Sequence, residues 1–431
     1  MPQNYHITRR SDGWAVVGSG NSRASSVHST QVEAIVAARS LAHQSGGEFQ
    51  IHRSTQTVRN SGGSGEKSES DQDGSHLGVF ARRLQQARTM RGLSLRALEA
   101  AILGVVSHNA LAKYERSEMM PGSETLIALG EALAQPVDFF FRPFRVEVNE
   151  VRFRKKAKLG VGRQKAIREL AADYVERYRE AEELAGDVRE FVRPLSGRKV
   201  ATIADAEAAA SALRKEWSLG QDPLPNVFEL MENKGIKVLE LPDENRDFDG
   251  LSADTEVGPV VVIASHLNKN LPRKRMTEVH ELGHVTVPLA DGVDEKTEEK
   301  LIAAFAGAFL LPAETFIEAF GKKRHKLAVA ELVEMKAHFG ASIMAIMRRA
   351  RSLGLITEPT YTNFCVVTSQ WGWRSRGEPG DDRYVGCESD GRFRQLVRRA
   401  VAEEEISLSK GASLLGEPLG AVRKDLEQVI G

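Results

Sequence analysis

Apolar positions recur at two different spacings along the chain, and the switches between them divide it into parts. Near the start, Tyr5 and Ile7 alternate with polar neighbours, a Ser-Asp-Gly turn occupies 11–13, and Trp14-Ala-Val-Val17 follows, which predicts a hairpin. Thr30-Gln-Val-Glu33 has capping-box spacing, and Val32, Ile35, Val36 and Leu41 recur at helical period up to Gly46-Gly47, so a helix is expected there. Phe49 to His52 reads as a last strand. The stretch that follows, to about residue 76, carries almost nothing apolar and predicts a flexible linker.

From Leu77 the helical period returns. Val79, Phe80, Leu84 and Ala87 form one stripe, with Arg82, Arg83, Arg88 and Arg91 on other faces; Gly92 closes the helix and Ser94 caps the next, which carries Leu95 and Leu98. A turn at Gly104 leads to a third helix, His108 to Arg116, capped by Ser107. A fourth carries Leu126, Ile127, Leu129 and Leu133, and Pro136 opens a short final segment. Farther on, Ile167, Leu170, Tyr174, Tyr178, Ala181, Leu184, Val188 and Phe191 recur every three or four residues. They predict one amphipathic helix of about 30 residues, roughly 45 Å long. Its stripe either packs on the next domain or pairs with a second copy. A helix over Pro225–Lys234, strands at Gly235–Leu241 and Pro259–Ala264, and helices around RKRMTEVHELGHV and over residues 298–316 come next. After Thr357, WGWRSRGEPGDD supplies turn residues, and the last 40 residues read as two or three helices.

At 431 residues the chain holds two to four domains. Lys plus Arg and Asp plus Glu both number 59, so any basic surface must be local. Residues 81–158 provide one, with 14 basic against 8 acidic residues. Within it RFRKKAK at 152–158 extends the excess past the fourth helix, which suits contact with phosphate. Hydrophobic residues at 41% and charged residues at 27% are those of a folded, soluble chain. Two cysteines, Cys365 and Cys387, exclude a disulfide framework and fit a reducing, cytoplasmic setting. The N-terminus lacks the apolar core of a secretory signal, and the longest apolar run, Leu301 to Ala313, is too short for a bilayer, so no membrane partner is expected.

The most specific chemistry lies in HELGH. His280 and His284 stand four apart, so both imidazoles leave one helix face and can grip one metal ion. Glu281, next to the first histidine, is placed to act as general base toward water and later to protonate a leaving amine. His266 is expected to be a loop histidine.

Several of these stretches resemble known families. LGVFARRLQQARTMRGLSLRALEAA and SHNALAKYERSEMMPGSETLIALGEAL resemble the Xre/Cro helix-turn-helix domains. The resemblance implies that the helix capped by Ser107 reads double-stranded operator DNA, with Ser107, His108 and Asn109 toward base edges and Lys113 and Arg116 toward phosphates. Ser117 departs from the glycine often found there. RKRMTEVHELGHV, the following helix and DGLS at 249–252 resemble the ImmA/IrrE metallopeptidases, which implies a third ligand from the second helix: Glu299 by position, with Glu298 as the near alternative. Zinc is the implied cofactor, and a carboxylate beside two imidazoles also accepts Mn2+. The N-terminal segment resembles a small bacterial domain of unknown function, and ISLSKGASLLG resembles the tail of larger family members.

The expected architecture is therefore multi-domain and mainly α with α+β parts. It comprises a small α+β domain (1–55), a linker (56–76), an all-α Xre-type domain (77–145), and a basic segment with the long helix (146–198). An α+β zincin-like peptidase domain (199–355) and a helical tail (356–431) complete it. The resemblance implies a cytoplasmic transcription regulator, expected as a homodimer, whose peptidase cleaves its own chain or a partner repressor under stress. The alternative is an antitoxin-like DNA-binding protein with a non-proteolytic sensor domain.

Overall fold

The computed structural model describes residues 5–10, 13–18, 23–28, 37, 41, 49–52, 76–144, 148–152, 160–242, 248–389 and 391–426. Two compact units emerge, residues 1–68 and 69–431. In the first, β1 (Tyr5–Arg10) and β2 (Gly13–Gly18) form the expected hairpin, from Arg10↔Gly13 to Tyr5↔Gly18. A strand the pattern did not predict, β3 (Ser26–His28), pairs with β2, and β4 (Phe49–His52) lies parallel to β1 with Ile7 opposite Ile51. The helix expected from Thr30 lies almost wholly outside the described residues, as does the linker.

The second unit begins with a helical bundle. Its helices are His76–Met90, Leu95–Ala101, His108–Glu115 and Ser123–Leu133, closed by a 3-10 turn at Val137–Phe141. The Ser94 hydroxyl accepts from the Ala97 N–H at 3.1 Å and the Ser107 hydroxyl from that of Ala110 at 3.3 Å, so each serine satisfies an orphan donor. Phe80, Leu84, Leu98, Leu111, Tyr114, Leu129 and Phe140 fill the core. Ser117 has φ +60°, in the left-handed region that favours glycine.

The long helix is shorter than its periodicity suggests. It runs from Val161 to Leu184, 24 residues or about 36 Å, and ends where Gly186 turns to φ +62°. Val188 and Phe191 keep the spacing but lie beyond that stop. Its stripe packs within the chain: Ile167, Tyr174, Tyr178 and Ala181 are buried against Phe393, Leu396 and Leu414 of the tail and against the sheet. Its other side holds the helical bundle. Arg83, fully buried, donates to Glu176 Oε2 at 2.7 Å and to the carbonyls of Arg142 and Pro143, each at 2.8 Å, while Arg142 pairs with Asp173. We refer to this group as the clasp.

The sheet orders as β5-β7-β8-β6, with β5 at Val148–Arg152, β6 at Lys237–Leu241, β7 at Gly250–Thr255 and β8 at Gly258–Ala264. Alternation along β8 sorts its two faces. Val261 and Ile263 point into the core with the HELGH helix, whereas Val260, Val262 and Ala264 point to the long helix and the tail. The sheet is thus covered on both sides, and the tail shares the core of the long helix. Arg152 ends β5; the rest of the basic run lies outside the described residues. The expected helix at 298–316 is two helices, Glu295–Leu310 and Ala313–Phe320, bent by 66° at Leu311-Pro312. Glu358–Gln370 is helical although no pattern announced it, and the tail ends in Arg392–Ala402, Leu408–Leu415 and Leu419–Leu426. Among the described residues no single helix is long and apolar enough to cross a membrane. Both cysteines are free thiols.

Candidate metal centre

The HELGH helix, Leu271–Thr286, starts at Asn270, whose side chain accepts from the Arg273 N–H at 3.1 Å, with Pro272 in its first turn. Asp294 caps the acidic helix, Glu295–Leu310, in the same way through the Thr297 N–H. The two helices meet closely because Gly283, the fourth residue of HELGH, has no side chain. A Cβ there would stand 2.9 Å from Ile302 Cγ2 and 3.0 Å from Phe305 Cδ1. Gly250 of the DGLS stretch plays the same part on the sheet side: a Cβ would stand 2.8 Å from Thr277 Cγ2 and 3.3 Å from Glu281 Oε1. Glycines at these two positions set the depth at which both neighbours approach the histidine face.

Three donors converge as a result. One ligand atom each from His280, His284 and Glu299 lies within 4.8 Å of the others. The two Nε2 atoms are 3.1 Å apart, and the Glu299 carboxylate lies 3.5 Å from His280 Nε2 and 3.4 Å from His284 Nε2. Glu298, the near alternative from sequence, points elsewhere: its Oε1 is 3.2 Å from His284 Nδ1. That contact makes Nδ1 the protonated nitrogen and turns the Nε2 lone pair toward the shared point. Burial lowers the pKa of His284, but Glu299, Glu281 and Glu298 together outweigh it and raise the value above that of an ordinary imidazole. Glu281 is buried between this helix and Gly250. His266, on the 3-10 turn Ser265–Lys269, lies 3.2 Å from Asp249, which also receives Arg273. Two imidazole nitrogens and one carboxylate around one point, with the tautomer fixed from behind, are a donor set that fits a divalent metal.

Sequence reasoning missed the fastening of this helix from the tail. Glu388 accepts the first two N–H groups of helix Val227–Asn233, at 2.7 Å and 3.0 Å, and pairs with buried Arg275. Lys274 donates to the Glu388 carbonyl at 2.6 Å and to Glu240 at 2.7 Å. Glu278 beside them is held well above the usual carboxylate range by burial and by Glu388. Glu388 lies over a hundred residues from Lys274, Arg275 and the start of that helix, so no local spacing signals these contacts.

In the bundle, Ser107 and Asn109 are exposed at the start of their helix, and Lys113 and Arg116 are exposed at its end. His108 Nδ1 lies 2.8 Å from Glu99, and Arg116 donates to Glu118 at 2.6 Å.

Three stretches of the chain match protein families. Residues 84–140 match the helix-turn-helix family, and residues 231–351, which span both histidines and Glu299, match the IrrE N-terminal-like domain. Residues 5–61 match DUF2188, an uncharacterized protein conserved in bacteria. The chain joins a helix-turn-helix domain to an IrrE-like peptidase domain. No curated protein gives a significant match to it. A DNA-binding regulator with a peptidase-like domain is the function class these matches support.

Proposed function

We propose that the protein is a cytoplasmic, homodimeric transcription regulator of the Xre type whose IrrE-like domain is an active zinc metalloendopeptidase that cleaves its own chain or a partner repressor under stress. The observation that carries this reading is the convergence of His280, His284 and Glu299 around one point with Glu281 buried alongside. A zinc ion held there supplies Lewis acidity toward a scissile carbonyl, and manganese can fill the same role. The protein's residues do the rest. The Glu281 carboxylate takes a proton from the attacking water and returns it to the leaving amine. Glu298 keeps His284 in the Nδ1–H tautomer, and Glu299 completes the donor set. In the bundle, Ser107, His108 and Asn109 face the bases, while Lys113 and Arg116 meet phosphates. Intact-mass spectrometry of the wild type and Glu281→Gln, with zinc or manganese and with or without single-stranded DNA, tests the reading. Fragments are expected from the wild type alone; intact chains in every condition, together with an uncut repressor, would overturn it.

A further inference from the structure

We propose that β5 is the chain's own occupant of a peptide-binding sheet edge beside the metal centre, and that the docked helix-turn-helix domain keeps it there. It rests on the metallopeptidase reading and adds what controls entry to the site. β7 has β8 on one side and β5 on the other, so β5 covers the edge that would otherwise present unpaired N–H and C=O groups. Such an edge is a template for any extended chain. It is also the edge of the strand next to Glu281, through Gly250.

Register gives the direction. β5 is antiparallel to β7, with Val148 opposite Thr255, Val151 opposite Ala253 and Arg152 opposite Ser252, so it runs toward the Gly250 end. A peptide extended in this register comes level with Gly250 two residues beyond Ser252, alongside Glu281. The hold is short and irregular: five residues, with a register shift between Val148 and Val151. β5 is not a segment of the peptidase-like domain but of the connector, and it begins four residues after Phe144. Just before it, the Arg142 and Pro143 carbonyls accept from Arg83, which is itself paired with Glu176. The clasp that docks the bundle on the long helix therefore anchors one end of the strand. With the clasp closed, β5 fills the edge from Thr255 to Ser252; opening it releases β5 and exposes that edge of β7.

A strand tethered in cis competes at an effective concentration on the order of a millimolar, so a free peptide at micromolar concentration barely displaces it. The probe is a fluorescent peptide of residues 146–158, titrated by anisotropy into the full chain carrying Glu281→Gln, so that binding is read without a cut. Three chains are compared: Glu281→Gln alone, the same with Val151→Pro, and the same with residues 148–152 replaced by alternating Gly and Ser. The two altered chains should bind the peptide at least tenfold more tightly than the parent. Their amides at Ser252–Thr255 should exchange faster and regain protection when the peptide is added. Equal affinity for all three chains, or unchanged exchange in β7, would overturn the proposal. The matching chains that keep Glu281 are assayed for cleavage in parallel: tenfold tighter binding with no cleavage by them would sink the peptidase reading alone, and cleavage without any gain in binding would sink the edge assignment alone.

Discussion

Gly283→Ala separates the stability of the fold from the geometry of the metal centre. The new methyl would meet Ile302 Cγ2 at 2.9 Å and Phe305 Cδ1 at 3.0 Å. Relaxed carbon–carbon contact lies near 3.5–4.0 Å, so the acidic helix must retreat by roughly 0.5–1 Å. The fold feels two opposing effects. Alanine is better than glycine inside a helix by about 1 kcal/mol, and overpacking costs about 1–3 kcal/mol. The net loss is therefore about 0–2 kcal/mol. The metal centre has no such compensation, because ligand distances tolerate only about 0.2 Å. Glu299 sits one turn before Ile302 and moves away from both histidines as the helix retreats. Zinc affinity, measured by competition with a chromophoric chelator, should fall tenfold or more, while the melting temperature of the metal-free protein drops by only a few degrees. Gly307→Ala is the control on the same helix, since a Cβ there meets nothing within 4 Å. It should raise the melting temperature and leave affinity unchanged. Wild-type zinc affinity in Gly283→Ala would refute the claim that this glycine sets the spacing.

Three further outcomes follow from the geometry. Arg83→Ala removes the shortest ion pair of buried Glu176 and leaves it Arg142 Nη2 at 3.4 Å, so it should cost about 1.5–3 kcal/mol by urea denaturation; an unchanged midpoint would show that the clasp does not hold the bundle. Asp173 is enclosed, and burial alone would raise its pKa, but Arg177 and Arg142 hold it below the ordinary carboxylate value. Its contribution is therefore present above the unfolded value, about 4, and is lost as pH falls through the folded one; Asp173→Asn should flatten the acid limb of a stability–pH curve, and an identical limb would contradict this. His108→Ala with Asn109→Ala should abolish sequence-specific DNA binding, whereas Lys113→Ala should weaken all DNA and reduce the salt slope by about 1; unchanged operator affinity in the double variant would discard the recognition helix.

The parts of this fold that are readable from sequence are those set by local spacing. The caps at Ser94 and Ser107, the hairpin at Tyr5–Gly18 and the i, i+4 histidines all depend on neighbours within a few residues. Resemblance pointed to Glu299 by position with Glu298 as the near alternative, and the structure puts the two on different nitrogens of the histidine pair. What escaped was decided elsewhere. Val188 and Phe191 continue the stripe of the long helix, but the backbone at Gly186 has already left it. β7 reads Gly-Leu-Ser-Ala-Asp-Thr and β5 Val-Asn-Glu-Val-Arg; neither has a strand former at every second position, and both are strands because neighbours pair with them. Glu388 offers no local signal at all, since its partners are Arg275 and the start of a helix 160 residues upstream.

The central claim is that a working peptidase centre and a DNA-binding domain share one chain. Intact-mass spectrometry of the wild type beside Glu281→Gln, each with zinc or manganese and with or without single-stranded DNA, tests it most directly. Cleavage between residues 140 and 200, or of a repressor added in trans, is expected from the wild type alone. Fragments that also form with Glu281→Gln, or none from either protein on any substrate offered, would contradict it.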